Sequence, residues 1–234
     1  MENILEYLLD LYGFDRKFIR QVASGERYFA VELVNGNIGV CATLGEKLPP
    51  QVPEQIEPAF YHHRIILTAY YNALLNYRSQ NIEQDKDITD INLKKYRNIH
   101  FVGKFTPIFE KLQASGIQFT YSDMRITDDP ENKLSRQKEY LSRADCVIIT
   151  ATAIPNNTLN NIIETAHKAD KYLLGPSSLL IPDLKEWGIK ASFGSLFRLY
   201  DSRVLGTIAQ NYGTRYFLHR GKKVMFVCDT TNDL

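Results

Sequence analysis

The chain has 234 residues, 44% apolar and 24% charged, which is enough for one large domain or two modest ones with real cores. Its formal net charge of +1 gives no electrostatic case for nucleic acid or membrane as a partner. Three scattered cysteines, Cys41, Cys146 and Cys228, form no CxxC pair and no disulfide framework, which points to a reducing compartment.

The N-terminal MENILEYLLDLYG carries acids where a signal peptide carries bases, so it reads as an amphipathic helix closed by Gly13. With no apolar run near ~18 residues, the expected location is the cytoplasm. Residues 17–22 read as a short strand, and 28–33 and 38–44 as two more. Asn35-Gly36 between the latter marks a hairpin, because both residues tolerate positive φ. A proline-rich connector precedes helical periodicity over 60–77, where Tyr70, Tyr71 and Tyr77 read as packing residues. The polar stretch Asn81 to Asp90 reads as a linker, so residues 1–85 form a small α+β domain and 86–234 a second domain.

From about residue 96 strands and helices alternate. Strands are expected near 98–103, 117–122, 145–151, 171–175 and 189–194. Helices are expected near 106–115, 134–143, 157–169, 178–187 and 202–211. Short, nearly all-apolar strands suit a sheet covered on both faces, and the alternation predicts a mainly parallel, doubly wound, Rossmann-like sheet. The tail, 215–218 and 224–228 around a basic centre, reads as an antiparallel hairpin on the sheet edge.

Ligands of such sheets bind beyond the carboxyl ends of the strands, so the loops there are the candidates. The first holds Gly103, Lys104, Thr106 and Pro107, with Thr106 as a helix cap and Pro107 in the first turn. It is neither GxGxxG nor a P-loop. The second ends at Asp123, a hydrogen-bond acceptor. The third, Thr150 to Ile163, carries Thr150, Thr152, Asn156 and Thr158, more polar groups than a cap requires; Asn156 or Asn157 is the expected cap. The fourth holds Gly175, Pro176 and Ser177, read as a helix start able to bind an anion, and the fifth Gly194 and Ser195. Histidines and cysteines show no metal-ligand spacing. Cys41 and Cys146, inside strands, read as core thiols, and His167 as a solvated residue on an outer helix.

In order, VGKFTPIFEKL, YLSRADCVIITATAIPNNTLNNII, LLGPSSLLIP and WGIKASFGS resemble the successive blocks of the DUF364 family, named for a proposed role in heavy-metal chelation. FAVELVNGNIGVCATL resembles the DUF4213 domain that precedes it in that family. The resemblance runs from about residue 5 to 217. It implies an N-terminal domain similar to the enolase N-terminal fold, a Rossmann-like C-terminal domain and a site in the cleft between them. It picks out Gly39, Gly103, Pro107, Thr150, Asn156, Thr158, Gly175, Pro176, Ser177, Gly194 and Ser195. Lys104 falls where the family is more variable and would favour an anionic ligand.

Together these readings favour capture of a small anionic molecule or metal complex in the cleft, with a metal ion or metal complex as the only cofactor in view and homo-oligomerisation left open. The alternative is an enzyme acting on a nucleotide-like or pterin-like molecule, with Asp123 as acid–base and Lys104 as electrostatic group. A third reading is an interaction protein using the aromatic N-terminal domain and the basic tail.

Overall fold

The computed structural model describes residues 1–79, 81–123 and 130–228, with the backbone alone at 130–133 and 214–215. Two sheets organise them. The small one is an antiparallel meander of β1 (Ile19–Ser24), β2 (Tyr28–Leu33) and β3 (Ile38–Ala42). Gly36, at φ 86°, turns the expected β2–β3 hairpin, and the Tyr200 ring packs so close that a Cβ there would clash.

β2 is covered on both faces. Phe29, Val31 and Leu33 join the cluster under helix α2 (Tyr61–Leu75), while Ala30, with Ile38 and Val40 of β3, packs under helix α6 (Ser202–Ala209). The helix expected near 202–211 therefore forms, but it completes the small sheet. Tyr70 and Tyr71 are buried, and the Tyr77 hydroxyl donates to the carbonyl of Ile38, as packing residues should.

The large sheet has seven strands. In chain order they are β4 (Ile82–Gln84), β5 (Ile99–Val102), β6 (Thr120–Ser122), β7 (Cys146–Thr150), β8 (Asp170–Leu174), β9 (Ile189–Phe197) and β10 (Gly221–Val227); in space they run β4-β10-β9-β8-β7-β5-β6. β5 to β9 are parallel neighbours, while β10 and β4 are antiparallel. Helix α3 (Thr106–Ala114) buries Phe109 and Leu112 on one face. Helices α4 (Pro130–Arg143) and α5 (Leu159–Thr165) cover the other through Leu141, Leu159 and Ile162. This is the mixed α/β, mainly parallel architecture expected.

Four local expectations fail for identifiable reasons. The stretch 81–90, read as a linker, supplies edge strand β4, whose polar residues suit an exposed edge. The helix expected over 178–187 is absent. Pro182 disfavours the helical region for Ile181, which stays extended, and only a 3₁₀ segment (Pro182–Trp187) follows. The helix expected over 157–169 begins only at Leu159, because Asn157 is left-handed at φ 58°; His167, exposed as expected, lies in the turn beyond it. The tail is not a hairpin. Helix α7 (Thr214–Phe217) buries Phe217 edge-on against Tyr28, and β10 pairs along β9 for its whole length.

The two sheets share one hydrophobic cluster, which runs from Ile4 and Tyr70 to Val147 and Leu173. Helix α2 is stitched across by side chains. Asn76 Nδ2 donates to the Ser178 carbonyl, and its Oδ1 accepts from the Leu180 N–H at 2.8 Å. Arg64 Nε donates to the Pro155 carbonyl at 2.7 Å.

Candidate functional site

The large-sheet strands read β6-β5-β7-β8-β9 across the parallel part, so chain order reverses between β5 and β7. Loops leaving such a reversal part to opposite faces and leave a crevice. Gly103, at the end of β5 with φ 109°, faces Thr150 at the end of β7; a Cβ on Gly103 would lie 3.0 Å from the Thr150 Cβ. A cavity of about 1270 Å³ opens there, lined also by Tyr28, Ala42, Leu44 and Tyr61 from the small-sheet side.

Of the fifteen residues singled out from sequence, fourteen line this cavity. Lys104, Thr106 and Pro107 follow Gly103, with Thr106 and Pro107 exposed. Thr106 is not the helix cap expected. Phe105 takes that position and offers no side-chain cap, so the Thr106 amide carries none; Pro107 has no N–H, and Ile108 donates to the Phe105 carbonyl at 2.9 Å. Asp123 is 6% exposed at the end of β6. Thr150 and Thr152 share a hydroxyl–hydroxyl bond of 2.9 Å, and Thr150 caps a 3₁₀ turn (Ala151–Ala153). Asn156 and Thr158 sit at the rim. Neither Asn156 nor Asn157 caps α5: its N-cap is Thr158, and Asn157 Oδ1 accepts from Asn3 instead.

Gly175 and Pro176 form the wall after β8, but Ser177 begins no helix. Its buried hydroxyl accepts the Ala42 N–H at 3.0 Å, tying the two sheets together. The anion-binding helix start expected at Ser177 is therefore corrected to a hydrogen-bonded tie. Gly194 and Ser195 are not a loop. They lie within β9, paired with Val224 and Lys223, and reach the cavity because that strand runs past β8. Gly39 is the residue the structure leaves out. A Cβ there would sit 2.1 Å from the Ala69 carbonyl oxygen, so it is a packing glycine between β3 and α2.

Sequence reasoning missed Lys86, Lys138 and Lys223, which also line the cavity. They lie on a supposed linker, a helix and a supposed hairpin, and only the folded β4–β10 edge brings the outer two together. With Lys104, four lysines face two carboxylates, Asp87 and Asp123, among the described lining residues. Asp87 is held below the usual carboxylate range. Burial pushes it up, but the Lys223 hydrogen bond (2.8 Å) and the charges of Lys223 and Lys111 outweigh that. The Tyr61 hydroxyl, pushed up to about 12 chiefly by burial, stays protonated as a donor.

Ser122 also lines the cavity and is hydrogen-bonded at 3.0 Å to His100 Nε2. Nδ1 of His100 lies 2.8 Å from Thr120 Oγ1, which donates onward to the Ile99 carbonyl. That last bond uses the threonine proton, so Nδ1 carries the imidazole hydrogen and Ser122 donates to Nε2. Burial lowers His100 to about 4, and no carboxylate backs it in this chain of bonds. It is a weak base, and the row serves to hold the end of β6 in place.

The family model described as "Putative heavy-metal chelation" matches residues 87–227. The chain belongs to the DUF364 family. Two solved DUF364 proteins of unknown function share its fold. One, from Desulfitobacterium hafniense, is 18% identical with a TM-score of 0.70, over 96% of both chains. The other, from Pyrococcus horikoshii, is 20% identical with a TM-score of 0.73, over 96% of this chain and 98% of its own. Comparison with curated proteins finds no match. For a DUF364 chain the donor set bears on the family's description. No three His, Cys, Asp or Glu gather among the described residues, and the cavity lining offers no imidazole or thiol. Burial pushes Cys41 up to about 12 and raises Cys146 as well, so both stay thiols. These donors do not fit direct ligation of a soft metal.

Proposed function

We propose that this DUF364 protein captures a small anionic molecule, free or as a metal chelate, in the cavity beyond the carboxyl ends of its parallel strands. The observation that carries the reading is the excess of lysines over carboxylates in the cavity lining, with Lys104 beside the uncapped start of α3. A helix start offers amide hydrogens and a positive dipole end, and lysines raise the local anion concentration. A metal, on this reading, arrives as cargo inside its chelator, recognised through the chelator's anionic groups. The reading assigns residues 1–85 to a DUF4213 domain similar to the enolase N-terminal fold, closing the cleft against the DUF364 domain of residues 86–234. It places the protein in the cytoplasm.

The test is thermal unfolding with phosphate, citrate, ferric citrate or zinc alone. An anion at 100 times its dissociation constant adds about 2.7 kcal/mol of stability. Citrate or phosphate should raise the Tm of the natural protein and do so less for Lys104→Ala. No shift with any anion, or a shift with zinc alone that matches the chelate's, would overturn the reading.

A further inference from the structure

The corner of the cavity at the end of β6 holds a serine, an acid and an amide, with Lys138 next to the amide on α4. Asp123 lies there, one residue beyond Ser122, which pairs with Val102 on the adjacent strand. It follows Gly103, which turns the chain at the end of β5, by twenty residues. Gln137 closes the corner from α4. Its neighbour one turn later, Tyr140, stacks on His100, and this places Gln137 over the β6 end. Gln137 is 7% exposed, and its amide has no hydrogen-bond partner among the described residues. The amide is not among the fully enclosed unpaired atoms, so it opens onto the cavity, where a ligand can supply the partner it lacks.

In open α/β sheets an acid at this place, about twenty residues past the glycine turn after the first strand, accepts hydrogen bonds from ribose hydroxyls, while phosphate sits at the following helix start. Here the glycine turn leads into α3, where the Thr106 amide carries no side-chain cap and Lys104 lies beside it; Pro107 has no N–H and Ile108 donates to the Phe105 carbonyl. Adjacent strands lie about 4.8 Å apart, so the α3 start and the Asp123 carboxylate are spaced for one pentose phosphate. We propose that the anionic ligand carries a ribose 5-phosphate unit. Its phosphate lies at the start of α3 and Lys104, and its vicinal diol donates to Asp123 with Gln137 as a second polar contact. The single-glycine turn lacks the grip for a bridging pyrophosphate, so the class is a monophosphate, either a nucleotide or the free sugar phosphate. Apolar Phe105, beside the glycine turn in the same lining, offers surface for a base.

This inference rests on the anion-capture reading, and one calorimetric titration series separates the two. The probes are AMP, 2′-deoxy-AMP, ribose 5-phosphate and inorganic phosphate, on the natural protein, Asp123→Asn and Gln137→Ala. The expected result is AMP bound at least about tenfold more tightly than 2′-deoxy-AMP, as for one hydrogen bond to a charged group. That ratio should fall to near one in Asp123→Asn, which should still bind phosphate and thereby report that it is folded. Gln137→Ala should weaken AMP and leave phosphate unchanged. Equal affinity for AMP and ribose 5-phosphate identifies the sugar phosphate as sufficient; stronger AMP binding identifies a nucleotide. Phosphate binding with no preference for the diol would overturn the ribose assignment and leave anion capture standing. No binding of any probe would overturn the ribose phosphate assignment and, with no shift in Tm from citrate, anion capture as well.

Discussion

Replacing His100 with glutamine isolates one acid-sensitive element of the fold. His100 is 1% exposed, stacked on Tyr140 and bonded through both ring nitrogens to neutral hydroxyls. Burial lowers it from 6.5 to about 4. The unfolded chain therefore takes up a proton first as pH falls. The native state is unaffected above 6.5, loses stability from 6.5 down to about 4, and changes no further below. At 1.36 kcal/mol per unit the full loss is about 3 kcal/mol, of which about 2 kcal/mol is reached by pH 5. Glutamine keeps a donor and an acceptor but does not titrate. Urea unfolding followed by the fluorescence of Trp187, the single tryptophan and buried, supplies the assay at pH 7, 6 and 5. Other titrating groups cancel when the two proteins are compared at each pH. The stability advantage of the natural protein over His100→Gln should shrink by about 2 kcal/mol between pH 7 and 5. Parallel curves at all three values would refute the assignment of a buried, neutral imidazole.

Two further substitutions probe the scaffold around the cavity. Asn76→Ala strands the Leu180 N–H and the Ser178 carbonyl in a buried setting and should cost about 3 kcal/mol in urea unfolding; a cost below 1 kcal/mol would mean those groups find other partners. Gly39→Ala drives a methyl into the backbone of α2 and should cost about 2 kcal/mol or more, read as a lower Tm. An unchanged Tm would show that β3 and α2 can separate without penalty.

The architecture was legible where apolar runs and turn residues agree. Val147-Ile148-Ile149 and Asn35-Gly36 left few alternatives, and the loops after β5, β6, β7 and β8 followed from the parallel order. Legibility ended where a long-range partner decides local structure. The polar stretch 82–84 has no strand signal of its own and becomes a strand because β10 offers an edge. Leu179, Leu180, Leu184 and Trp187 keep an apolar spacing that suits a helix, and Pro182 overrules it. The cavity lysines were invisible as a set for the same reason, since Lys86 and Lys223 are 137 positions apart in the chain and join only through the β4–β10 pair. Gly39 was picked out for the site when its demand for space comes from a helix crossing.

The ties running from α2 and β3 into the loops of the large sheet, at Pro155, Ser177, Ser178 and Leu180, bear on how the capture proposed above would work. A pair of jaws would have to break them together, along with a continuous apolar cluster, on every cycle of uptake and release. On that reading the walls are a fixed vessel whose shape exists before the anion arrives. Traffic is left to the side chains around the mouth, with little ordering cost charged against affinity.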